Sequence, residues 1–93
     1  MLAMQRGFAA SLTRATTKIG EADLQGALSM LLGISKSHPR DTAVHNNLAT
    51  VYMQLGQLDK ANEILVKSIR RSSDYAPTQL TMAMVLQRQG EPA

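Results

Sequence analysis

Apolar residues recur at steps of three and four along most of this 93-residue chain, with polar residues between them. The clearest run is Thr42 to Ser73. Val44, Leu48, Val51, Tyr52 and Leu55 fall on one side of a helix with 3.6 residues per turn, and Gly56 interrupts the pattern. It then resumes in Leu58, Ala61, Ile64, Leu65 and Ile69, while Asp59, Lys60, Glu63 and Lys67 take the other side. Two amphipathic helices joined by so short a turn lie antiparallel. Ala49 and Ala61 let the two backbones approach, and Leu48, Tyr52 and Leu65 are large enough to fill the remaining space.

The same periodicity predicts three further helices. Residues 3–20 carry a stripe of Phe8, Leu12, Ala15 and Ile19 and end near Gly20. A second helix starts from Asp23 as N-cap and runs through Leu24, Ala27, Leu28, Leu31, Leu32 and Ile34 to about Ser37, where Pro39 stops it. Asp41 caps a third over 42–55, the fourth covers 57–71, and a fifth opens around Ser73 to Pro77 and runs to about Gln89, closed by Gly90 and Pro92. Leu24, Ala27, Leu31 and Pro39 precede Leu58, Ala61, Leu65 and Ser73 by 34 residues, so the chain repeats itself. The first helix fits that offset less well. It would set Arg14 against Leu48 and Lys18 against Tyr52, charges where the hairpin needs large apolar groups. A one-residue insertion between Gly20 and Asp23, bringing Ala15 and Ile19 into those core places, is the preferred register.

With this period, Leu48-Ala49, Tyr52, Leu55-Gly56, Ala61 and Leu65 resemble the tetratricopeptide repeat, a stacking helix-turn-helix unit. The chain departs from the family at His45, where a large aromatic is usual, and at Ser73, where a proline is. The resemblance implies an all-α fold of five helices, antiparallel hairpins stacked as a short right-handed solenoid. It divides a single domain, residues 1–93, into repeat 1 at about 8–41, repeat 2 at about 42–75, and a partial repeat 3 or capping helix at 76–93. Met82, Ala83, Leu86 and Gly90 follow Leu48, Ala49, Tyr52 and Gly56 at the same offset, so a third repeat begins without its second helix. Apolar groups on more than one face of the last helix favour a fragment of a longer repeat protein, or a helix covered by a partner or a second copy.

Composition narrows the function. No cysteine is present, so neither disulfides nor thiolate metal sites are available. The net charge of +3 arises within residues 1–40, where Arg6, Arg14, Lys18, Lys36 and Arg40 outnumber Glu21 and Asp23. That bias is too small, and aromatics at 3% too scarce, to indicate nucleic acid. No run approaches a membrane span, so a soluble protein is expected, with cytoplasm preferred and periplasm or mitochondrion left open. The acid-free first 18 residues have the composition of a mitochondrial transit peptide, but their apolar stripe reads better as a packed helix. His38 and His45 lack partners at ligand spacing, no glycine-rich phosphate loop occurs, and no serine has an activating constellation. No catalysis, metal or cofactor is expected.

Binding is what stacked hairpins permit, since their first helices line a concave face. The resemblance places Ala43, Asn46, Asn47, Thr50, Met53 and Gln54 of the third helix there, joined by Thr13, Arg14 and Thr17 of the first and Leu80, Thr81, Met84, Gln87 and Arg88 of the fifth. Asparagine offers a donor and an acceptor, so Asn46 and Asn47 suit a peptide backbone. Arg14 and Arg88 suit a carboxylate. Relatives that grip the acidic tails of heat-shock chaperones have basic residues where this chain has Pro77 and Thr81, which argues against that ligand. The expected function is a protein-protein interaction module, an adaptor or assembly factor holding a partner's peptide or helix. The alternatives are a self-assembling module using its terminal helix, and a peripheral membrane factor using its basic first helix.

Overall fold

The computed structural model describes residues 2–91 and, among side chains, those from Gly7 to Glu91; the side chain of Arg6 and the expected stop at Pro92 lie outside the described residues. Five helices follow in order: α1 (Leu2–Gly20), α2 (Leu24–Ser37), α3 (Thr42–Gln54), α4 (Leu58–Arg71) and α5 (Ala76–Gln89). Among the described residues there is no strand. Two of the starts have the caps that the sequence predicts. The Asp23 carboxylate accepts the Gly26 amide at 3.0 Å and the Asp41 carboxylate accepts that of Val44 at 3.1 Å, satisfying amides that an open helix end leaves free. α5 begins differently. Its N-cap is Tyr75, without a side-chain bond, and Pro77 sits in the first turn, where its missing amide costs nothing.

The α3–α4 turn closes through Gly56 at φ 81, with the Gln57 amide reaching back to the Tyr52 carbonyl at 2.8 Å. This is the six-to-one bond of a left-handed helix stop. The α1–α2 turn repeats it 34 residues earlier, where Ala22 takes φ 62 and the Asp23 amide reaches the Lys18 carbonyl at 2.8 Å. The strict offset therefore holds through the turn, and the inserted residue expected there is absent. Ala15 and Ile19 do join the core, but as counterparts of Ala49 and Met53. Arg14 and Lys18 occupy the places of Leu48 and Tyr52 and are accommodated because α1 leaves them open: Arg14 is exposed, and half-buried Lys18 pairs with Asp23 at 3.3 Å. The Gly26 amide, and after it Lys18, hold the Asp23 carboxyl below its ordinary 3.8.

α3 touches all four other helices. It packs along α4 on one side, receives α2 and α5 on its flanks, and meets α1 only briefly. This central position accounts for its six buried residues, Val44, Leu48, Ala49, Val51, Tyr52 and Met53. Ala49 and Ala61 are wholly buried, as the close approach of α3 and α4 requires, and Leu65 is wholly buried beside them. α5 lies on α3 and α4 through Thr78, Thr81 and Val85. Leu86, the counterpart of Tyr52, is 53% exposed, since among the described residues no further helix lies against it.

Candidate functional site

On α3, Ala43, Asn46, Asn47, Thr50 and Gln54 lie on the opposite side of the helix from His45, Leu48 and Tyr52, which face α4. The first four are half-buried and Gln54 is exposed. α5 extends this surface with Leu80, Met84, Gln87 and Arg88, all exposed. Thr13, Arg14 and Thr17 of α1 are also exposed, but in the strict register only Thr13, the counterpart of Asn47, has the phase of this surface, while Arg14 and Thr17 match the buried Leu48 and Val51 and turn away from it. Two more of the expected surface residues are not on it. Met53 and Thr81 are buried, at 2% and 6% exposure, because α5 settles against α3 and closes the flank that each occupies. Thr81 also donates its hydroxyl to the Pro77 carbonyl at 2.9 Å.

The polar groups that remain are unequal in what they offer. The Thr17 and Thr50 hydroxyls donate within their own helices, to Thr13 and Asn46 carbonyls at 2.9 Å, so each presents only acceptor capacity outward. Arg14 reaches no further than Ser11, at 3.4 Å. Arg88 donates to the Met53 carbonyl at 3.3 Å, tying α5 to α3 and using part of its guanidinium. No carboxylate belongs to this set of residues. The surface is thus rich in amides, with one cation in Arg88 and apolar ground at Leu80 and Met84.

Asn46 stands out. Its Oδ1 is buried without a hydrogen-bond partner from the protein, as is the Ser68 Oγ of α4, and of the two only Asn46 belongs to the open face. Thirty-four residues to either side, the same position holds Leu12 and Leu80. That column was readable in the sequence, yet only the buried oxygen makes the asparagine costly. His38 and His45 are both engaged elsewhere: the His38 ring meets Phe8 edge-on at 4.2 Å, and His45 Nε2 donates to the Pro39 carbonyl at 2.8 Å. Among the described residues no three His, Asp or Glu side chains gather as metal ligands would, and no helix is long and apolar enough to cross a membrane.

Antiparallel hairpins repeating every 34 residues around a central helix, with one helix face left open, define a helical-repeat protein. The profile of the tetratricopeptide repeat matches residues 18–71, more than half of the chain, and the chain belongs to that family. Tetratricopeptide repeats are in general protein-protein interaction modules, and their fold is generally not an enzyme's. Among solved structures, the globular C-terminal domain of P. aeruginosa LpoP superposes with a TM-score of 0.81 at 24% identity, over 92% of this chain and 85% of that one. At that identity the likeness concerns the fold. No curated protein sequence matches the chain.

Proposed function

We propose that this chain is an adaptor or assembly module that holds an extended or helical segment of a partner protein against the face formed by α1, α3 and α5. The reading rests above all on Asn46. A leucine at that position, as at Leu12 and Leu80, would remove an unpartnered buried oxygen, so asparagine there does not serve stability. Asn47, Gln54 and Gln87 add amides that bond a peptide backbone irrespective of its side chains, and Leu80 and Met84 give apolar contact. On this reading the working unit is residues 1–93 as one domain, with hairpins at about 8–41 and 42–75 and α5 as a partial third repeat.

The test starts from peptides selected from a random displayed library against the whole chain. Asn46→Leu and Asn47→Ala should each weaken the selected peptides roughly tenfold, about 1.4 kcal/mol, by fluorescence anisotropy. Asn46→Leu should meanwhile keep or raise the thermal midpoint. Unchanged affinity in both variants would remove the proposal. A second reading, self-assembly through α5, draws on the exposure of Leu80, Met84 and Leu86. Light scattering across a concentration series distinguishes it, since only self-assembly raises the mass with concentration.

A further inference from the structure

The opposite side of α3 carries a second surface of different chemistry. A trough runs between α3 and α4 beside the end of α2, made of two adjoining hollows of about 290 and 260 Å³ that share Ile64 and Lys67. Its floor is apolar, from Leu48, Tyr52 and Ile64. It is open above Leu48 because His45, bonded to the Pro39 carbonyl, leaves that space unfilled.

Its rim is cationic. Lys60, Lys67 and Arg71 recur at seven- and four-residue steps and so share one face of α4. The Lys60 ammonium stands 5.6 Å from the centre of the Tyr52 ring, and Arg71 reaches the Pro39 carbonyl at 3.4 Å. Among the described residues, neither has a carboxylate within ion-pair distance. Lys67 meets Glu63 at 3.8 Å, but both side chains are about 70% exposed (70% and 69%), a pair that solvent weakens and an incoming carboxylate can replace. Glu63 is the one acid lining the trough. The matching hollow of the first hairpin has no such rim, for Gly33 and Ser37 stand where Lys67 and Arg71 do.

We infer that this trough is a second docking surface, one that takes an acidic, amphipathic segment of a protein partner. Apolar side chains of the segment lie on Ile64 and enter the space above Leu48, while flanking carboxylates meet Lys60, Lys67 and Arg71. Charge complementarity sets the choice of partner, because an uncharged segment would leave Lys60 and Arg71 without a carboxylate and Lys67 with only its solvent-weakened pair to Glu63. The trough and the α1–α3–α5 face lie on opposite sides of α3, so occupying one leaves the other free.

A labelled short peptide of glutamates carrying one Phe and one Leu three residues apart serves as probe, read by anisotropy on the whole chain. Binding should saturate at low salt and weaken at about 0.15 M salt. Lys67→Gln with Arg71→Gln should lower the affinity about tenfold, whereas Arg88→Gln, on the other face of the molecule, should leave it unchanged. His45→Trp, which fills the hollow without removing a rim cation, should lower it as well. Circular dichroism confirms that each variant is folded. Any of four results overturns the inference: no saturable binding to the wild-type chain, equal binding by the Lys67/Arg71 variant, equal binding of a peptide with Ala for Phe and Leu, or equally effective displacement by a short oligonucleotide. An equal loss in the Arg88 variant also overturns it, and moves the acidic segment to the other face.

Discussion

Truncating Leu65 to alanine should be among the most damaging single changes in this chain. The side chain is wholly buried between α4 and α3. Its removal forfeits the transfer energy of the lost carbons and leaves a cavity, together about 2–5 kcal/mol. The upper half of that range is expected, because Ala49 and Ala61 already bring the two backbones close and leave little room for collapse. A chain of this length has a total stability of roughly 5–14 kcal/mol, so a loss of about 3–5 takes about a fifth of it or more. At about 4–8 °C per kcal/mol the thermal midpoint should fall by at least about 12 °C. Urea unfolding followed by circular dichroism gives the cleaner number, a midpoint lowered by on the order of 2 M at unchanged slope. Leu86→Ala is the internal control. It deletes the same side chain at the counterpart of Tyr52, but from a residue 53% exposed, and should cost no more than about 0.5 kcal/mol. Equal losses at the two sites would refute the reasoning, since they would mean that α5 is covered in solution.

The two turns give a paired test. Ala22→Gly should raise stability by about 1 kcal/mol, because an alanine at φ 62 is strained by its Cβ, and Gly56→Ala, at φ 81 with open space around it, should lower stability by a similar amount in the same denaturant assay. Ala49→Leu or Ala61→Leu should overpack the hairpin and cost about 1–3 kcal/mol, so an unchanged thermal midpoint would show that neither faces the helix pair. Asp23 predicts an acid dependence. Its carboxyl is held below 3.8 in the folded chain, by the Gly26 amide first and Lys18 second, so its stabilising contribution is present above 3.8 and is lost as the pH falls through the lower folded value. Midpoints measured from pH 6 downward should show a component that Asp23→Ala removes.

Much of the architecture could be read from the residues. Asp23 and Asp41 announce two helix starts, Gly56 the sharp turn, and the 34-residue recurrence the stacking of hairpins. The register of α1 could not be read in the same way. Two cations at hairpin positions look like a fault to be repaired by an insertion, but Arg14 is exposed and half-buried Lys18 keeps its ammonium on Asp23, and no shift is needed. Nor does periodicity reveal which flank of α3 the next helix will cover. Met53 and Thr81 share the helical phase of the open face, and only the docking of α5 buries them. Lys60 and Lys67 read in the sequence as the polar side of an amphipathic helix, and their alignment with Arg71 along a trough depends on where His45 and Pro39 stand.

The central claim is that the face of α1, α3 and α5 receives the partner. Amide chemical shifts of the isotope-labelled chain, followed while a library-selected peptide is titrated in, test it most directly. The account predicts saturable changes at Ala43, Asn46, Asn47, Thr50 and Gln54, continuing to Met84 and Gln87. Changes confined to α4 around Lys67 and Arg71, with Asn46 and Asn47 unmoved, would contradict it.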